Sequence, residues 1–159
     1  MKVKRIVFFI GLALSLITLM SSECNNSEPV NPNCNGIIAA TTSGYFAEDF
    51  CFDVLVNYEF KGVDGIDIVA RQEGEIEYAF AINLWGYSGP GTYNIGPESH
   101  GFAELIIHGN ENEFYKVQSG TLTITEADEL ILKGTFSIIT IGFYNEETVN
   151  ITGTIDKKN

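Results

Sequence analysis

Positive charge is scarce in this chain. Nine Lys and Arg stand against 21 Asp and Glu over 159 residues, a formal net charge of −12. Affinity for nucleic acid comes chiefly from Lys and Arg neutralising phosphates, so this balance excludes DNA and RNA as partners. It also excludes adhesion to anionic lipid through a basic face. Histidine is rarer still: His100 and His108 are the only two, and neither sits in a Cys-x-x-Cys or His-x-x-x-His spacing that would assemble a transition-metal site. Without a Gly-x-Ser-x-Gly elbow a serine triad has no support either. Beyond residue 20 no apolar run approaches the roughly 20 residues that a membrane-crossing helix needs.

The N-terminus carries the clearest positive signal. Lys2, Lys4 and Arg5 precede an uncharged apolar run over residues 6–20, and Ser21-Ser22 lead into Glu23-Cys24. This is the layout of a secretory signal peptide over residues 1–23, with an apolar run too short to remain as a membrane span. A cysteine just past such a run points to a lipid-anchored protein with Cys24 as its acylated first residue, exposed at the outer membrane or cell surface. A typical acylation motif carries Leu where Ser21 stands and a small residue where Glu23 stands. Cleavage after Ser22, giving a soluble periplasmic or secreted protein, is the alternative reading. Residues 24–35 are polar, proline-punctuated and almost free of apolar side chains, the composition of a disordered tether. One domain is then expected over residues 36–159. From Cys24 onward six Lys and Arg face 20 Asp and Glu, a net charge of −14 that suits a soluble monomer touching the membrane only through its lipid.

Three cysteines leave an odd thiol in an oxidising compartment. Acylation of Cys24 restores the parity and leaves Cys34 and Cys51 to form a disulfide. That pairing requires the first strand to bend or be offset, because a simple hairpin centred near Gly44 places Cys34 opposite a residue well beyond Cys51.

Period-two alternation dominates the domain. Phe50, Phe52, Val54, Val56, Tyr58 and Phe60 alternate with Cys51, Asp53, Leu55, Asn57 and Glu59, which predicts one half-buried strand with Cys51 on its polar face. A second alternation sets Ile76, Tyr78, Phe80, Ile82 and Leu84 against Glu75, Glu77, Ala79, Ala81, Asn83 and Trp85. Shorter candidates cover 36–41, 66–71, 102–108, 114–118, 121–125, 130–141 and 148–155. Glycine-, Asp- and Asn-rich turns separate them, and the gaps are too short for crossover helices. The expected fold is all-β: an antiparallel β-sandwich of about nine strands, or alternatively a closed or partly open β-barrel of calycin type. Its core is predicted from Phe52, Val54, Val56, Tyr58, Tyr78, Phe80, Ile82, Leu122, Ile124, Leu132, Phe136, Val149 and Ile151.

Four segments of the C-terminal half occur in a telling order: Gly91-Thr92-Tyr93-Asn94-Ile95-Gly96, Ser119-Gly120-Thr121-Leu122-Thr123-Ile124-Thr125, Leu132-Lys133-Gly134-Thr135-Phe136-Ser137 and Val149-Asn150-Ile151-Thr152-Gly153-Thr154-Ile155. Over roughly residues 84–155 this order resembles a family of small Bacteroidota lipoproteins whose domain has no assigned function. The resemblance implies an all-β exported domain and brings no catalytic residues with it.

The remaining chemistry is thin. Glu75 and Glu77 share a strand face, whereas glycosidase carboxylates face one another across a cleft. Asp64-Gly65-Ile66-Asp67 lacks the further ligands of a calcium loop. The constellation that stands out is aromatic: Trp85, on the strand side opposite the predicted core, with Tyr87 and Tyr93 around the turn Gly86-Tyr87-Ser88-Gly89-Pro90-Gly91. Exposed rings stack on sugars and peptides, and the three are the candidate binding residues. The competing expectation is that they fold back and cap an end of the domain. No metal and no cofactor is expected. The leading function is a non-enzymatic binding or accessory module of the cell envelope with a protein or glycan partner. A small-ligand carrier needs an unfilled barrel, which the bulky inward residues oppose, and a hydrolase would need a site that no motif reveals.

Overall fold

Alternating apolar residues and glycine-bearing turns build ten strands: β1 (Ile38–Gly44), β2 (Asp49–Phe52), β3 (Val54–Phe60), β4 (Gly65–Gln72), β5 (Glu77–Trp85), β6 (Gly91–Ile95), β7 (Gly101–His108), β8 (Glu113–Ala127), β9 (Leu132–Gly142) and β10 (Thr148–Lys157). The computed structural model describes residues 34–108 and 113–158. The expected signal peptide, most of the expected tether and the acylation expected at Cys24 lie outside them. Among the described residues there is one 3-10 turn, Gly62–Asp64, and no α-helix.

All ten strands belong to one antiparallel sheet with the order β2-β1-β10-β9-β8-β7-β5-β4-β3, and β6 joins it along the second half of β8. The two ends of that order, β2 and β3, are consecutive in the chain and separated only by Asp53. β2 pairs with β1 and β3 pairs with β4, so a single kinked segment serves both margins and the sheet rolls nearly closed. Across the seam the Cys51 amide donates to the Gln72 side-chain carbonyl at 2.7 Å. The all-β antiparallel reading holds, and the layers anticipated for a sandwich are opposite walls of one roll.

Inward side chains fill that roll. Phe52 stacks on Phe80 at 5.7 Å between ring centroids, Phe80 stacks on Phe136 at 5.0 Å, and Phe50 lies 5.7 Å from Phe52. These rings come from β2, β5 and β9, three separate walls meeting at the axis. Opposite Phe136 in the β9–β10 register is Gly153, where any Cβ would run into the Phe136 ring and the Ala39 carbonyl. Glycine is the side chain this ring allows.

Two expectations fail in β3. The alternation over 50–60 is not one strand, because Asp53 breaks it and the β3–β4 register slips between Leu55 and Asn57. The residue left unpaired is Val56, 56% exposed rather than in the core, and Val54 is only half buried opposite Arg71. A bulge adds one residue to a strand and so reverses the faces on either side of it. Similarly, 114–118 and 121–125 are one 15-residue strand carrying two register shifts, and Gly91–Ile95, read as turn and motif, is a strand. The remaining predicted core residues lie inside or pack against the core.

Cys34 and Cys51 are disulfide-bonded. The required bend occurs before β1, where the chain turns at Gly36 and the Ile37 amide reaches the Phe52 carbonyl at 2.8 Å. Cys34, expected within the tether, is thus fastened to the folded domain. Closing a loop of 17 residues removes unfolded-state freedom worth about 3 kcal/mol in the chain-entropy account.

Phe80→Ala is expected to cost about 3–5 kcal/mol in denaturant unfolding, the range for deleting a fully buried ring. Val56→Ala should stay within about 0.5 kcal/mol, as for an exposed residue. Equal losses at both sites would mean that the β3 bulge is misplaced.

Candidate functional site

The roll has two ends. Loops 61–64, 86–90 and 128–131, with both chain ends of the domain, lie at one; loops 45–48, 73–76 and 143–147 lie at the other.

The first end holds the three sequence-predicted binding residues but does not present them together. Trp85 closes β5 on its outer side, opposite Gly65, and is 46% exposed. Its amide is held by the His100 carbonyl at 2.8 Å. The next residue, Gly86, takes a left-handed φ of 70°, which turns the chain back so that Tyr87 enters the core. Tyr87 is 7% exposed, set against Phe60 at 5.7 Å and Tyr93 at 5.9 Å. Tyr93 is half buried, and its hydroxyl closes the turn by donating to the Gly89 carbonyl and accepting the Ser88 amide at 3.1 Å. Tyr87 and Tyr93 therefore cap this end, which the competing expectation held for all three, and of the three Trp85 alone offers a ring to solvent. The backbone reversal at Gly86 undoes any extrapolation of strand parity past Trp85.

A latch completes this end. The Tyr58 hydroxyl donates to the carbonyls of Asp128 and Ile131, the latter at 3.0 Å. The Asp128 carboxylate accepts the amides of Leu130 and Ile131 at 2.7 and 2.8 Å. Those two amides hold its pKa below the usual carboxylate value. Lys157 lies 4.5 Å over the Tyr58 ring and donates to the Leu130 carbonyl. Burial, then the charge of Asp128, pushes the Tyr58 phenol up to about 12.

At the opposite end the aromatics stay outside. Phe46 plugs the opening, 5.4 Å from Tyr115 and 6.5 Å from Phe50. Around it Tyr45, Phe143 and Tyr144 are 55%, 60% and 71% exposed. An open pocket of about 450 Å³ lies between β8 and loop 143–147, lined by Glu113, Phe114, Tyr115, Phe143, Tyr144 and Asn145. Its walls are fixed by main-chain bonds: the Phe143 amide to the Phe114 carbonyl at 2.8 Å, and Gly142 to Glu147 at 2.9 Å. The Asn145 side chain accepts the Glu147 amide and donates to the Tyr115 hydroxyl, which itself donates to Glu113 at 2.7 Å. Burial first, then that bond to Glu113, pushes the Tyr115 phenol up to about 12. The Lys116 ammonium lies 4.9 Å from the centre of the Phe143 ring.

This rim was missed in the sequence although a signal for it exists. Gly44-Tyr45-Phe46-Ala47-Glu48-Asp49 and Gly142-Phe143-Tyr144-Asn145-Glu146-Glu147 share one pattern: glycine, two aromatics, a spacer, two acids. The hairpins carrying them are neighbours, since β1 pairs with β10 and the Tyr45 amide bonds to the Thr148 carbonyl at 3.1 Å. Only that pairing brings segments almost a hundred positions apart to one rim.

The other candidates are dispersed. His100 and His108 are exposed. Glu75 lies in the loop before β5, while Glu77 pairs with Arg71 at 3.4 Å. Asp67 is held by Lys61 and Asn83 rather than aimed at a shared cation position with Asp64. Among the described residues no three His, Cys, Asp or Glu are gathered as metal ligands.

The two phenols raised to about 12, Tyr58 and Tyr115, favour the neutral ring in the folded state. Stability should hold below pH 10, the unfolded phenol value, and decline as pH rises toward 12 because the unfolded chain ionises first. Denaturant midpoints across this window should show a shallower decline for Tyr115→Phe than for the parent chain. An unchanged slope would mean that Tyr115 ionises as freely folded as unfolded.

Comparison with known proteins found no family model, no curated protein and no solved structure that matches this chain.

Proposed function

We propose that the chain is an exported, lipid-anchored, non-enzymatic module of the cell envelope that binds a protein or glycan partner through its aromatic rim. The observation that carries this reading is the polarity of the roll. The expected anchor at Cys24 would join the domain at Cys34, which is fastened beside β2 where the chain enters β1. From there β1 runs away from the tether, with Ile38 opposite Ile155, and delivers Tyr45 to the far end, where its amide bonds to the Thr148 carbonyl just past the loop carrying Phe143 and Tyr144. A lipid at the N-terminus would therefore attach the domain at the end away from the exposed rings and leave those rings free to meet a partner. Monomeric soluble domains leave few large rings in solvent, and clustered ones mark contact surfaces.

Other features support the same reading. The charge of the exported part opposes direct adhesion to anionic membrane, leaving the lipid as the attachment. Ordered motifs over residues 84–155 resemble small Bacteroidota lipoproteins of unassigned function. Carboxylates near cations serve as structural ion pairs, such as Lys61 with Glu59 and Asp67, and Lys133 with Glu126. The ring stack across the axis opposes the carrier alternative, which requires an empty interior.

Intact mass of the membrane fraction should show a diacyl or triacyl adduct on Cys24; a mature chain beginning at Glu23 with a free Cys24 thiol would remove the anchor from this reading. Binding to fractionated envelope polysaccharide and protein, measured with immobilised protein, should be lost in a Phe143→Ser/Tyr144→Ser variant and kept in Trp85→Ala. The opposite pattern would place recognition at the tether end.

A further inference from the structure

We infer that the rim recognises a basic peptide, seating an Arg or Lys side chain against the rings of Phe143 and Tyr144. This deepens the proposed function and rests on the same rim. The geometry of the rings speaks first. Phe143 and Tyr144 meet at 89° with centroids 5.0 Å apart, and Phe114 meets Tyr144 at 61°. Flat sugar platforms need rings that share a plane. The edge-to-face pair offers no such plane, while the Phe143 ring already holds the Lys116 ammonium 4.9 Å from its centre, the contact that a ring face makes with a cation.

Charge speaks next. Glu113 lines the pocket, Glu146 and Glu147 follow it in the loop, and Glu48 and Asp49 occupy the matching positions of the neighbouring hairpin. A ring face combined with nearby carboxylates favours a guanidinium or ammonium over a neutral hydroxyl, and the net charge of −14 from Cys24 onward steers basic partners toward the protein. An acidic peptide would be repelled.

The loop already performs this chemistry on itself. Lys116, on β8 beside the pocket, places its ammonium 4.9 Å from the centre of the Phe143 ring. That contact is intramolecular, so Lys116 competes with an incoming cation for the ring and adds a repelling charge next to it. A merely structural rim predicts nothing about binding when Lys116 is changed, whereas recognition of a cation predicts a gain.

The probe is a fluorescent Gly-Arg-Gly-Lys-Gly-Arg peptide titrated into the purified protein, with a citrulline and norleucine analogue that keeps the length and removes the charges. The basic peptide should bind, more weakly with added salt, and the neutral analogue should not. Phe143→Ala/Tyr144→Ala should weaken binding about tenfold. Lys116→Gln should tighten it several-fold, while Lys158→Gln, which removes an equal charge at the other end, should leave it nearly unchanged. Tightening by both Lys variants alike would reveal unspecific charge attraction and overturn the inference. Equal binding of the neutral analogue, or no binding of the basic peptide, would overturn it too. If the basic peptide fails while Phe143→Ser/Tyr144→Ser still abolishes binding to envelope fractions, the rim remains the recognition surface and only the basic-peptide assignment falls.

Discussion

The contact on which the rest of this structure depends is the stack of Phe52, Phe80 and Phe136 across the axis of the roll. A sheet curls only if its inner face is satisfied, and here β2, β5 and β9 each send one ring to the middle. Because the rings come from three walls, each wall's position is set by the other two. Phe136 requires Gly153 on the adjacent strand, and Phe52 brings β2 inward just before the chain kinks at Asp53. The kink then lets one segment supply both margins of the sheet, the disulfide holding its outer side through Cys51.

Filling the axis with rings leaves the ends as the places where chemistry differs. Both are closed by aromatics, with opposite outcomes. At the end where the chain enters β1, Tyr58, Tyr87 and Tyr93 turn inward and spend their hydroxyls or ring faces on the protein itself. At the far end Phe46 alone makes the plug, and Tyr45, Phe143 and Tyr144 stay in solvent beside carboxylates. In the proposed function, a strand meander with loops of unequal use at its two ends separates attachment from recognition without a second domain.

Much of the fold was legible because period-two alternation is strong in β5, β9 and β10, where the inward residues Phe80, Phe136, Val149 and Ile151 are buried as read. What alternation cannot register is a change of phase. Asp53 and the Val56 bulge reversed the faces within one apparent strand, and Gly86 reversed the chain just past Trp85, so Tyr87 went inward where continuity pointed outward. The disulfide was legible by parity alone, and its geometry needed the bend at Gly36. The rim depends on a long-range pairing, β1 against β10, that no local pattern announces. Its trace in the sequence is the matched glycine-aromatic-aromatic-x-acid-acid hairpins, informative only once the two are known to be neighbours.

The interior is packed core, and in the proposed function binding belongs to the rim. Amide and aromatic NMR spectra recorded with increasing amounts of a long-chain fatty acid test this most directly, since such a ligand fills the interior of a carrier barrel. The packed-core account predicts that resonances of Phe52, Phe80, Leu105 and Phe136 stay unchanged. Saturable shifts at those inward residues would show that the roll opens to a ligand and would contradict it.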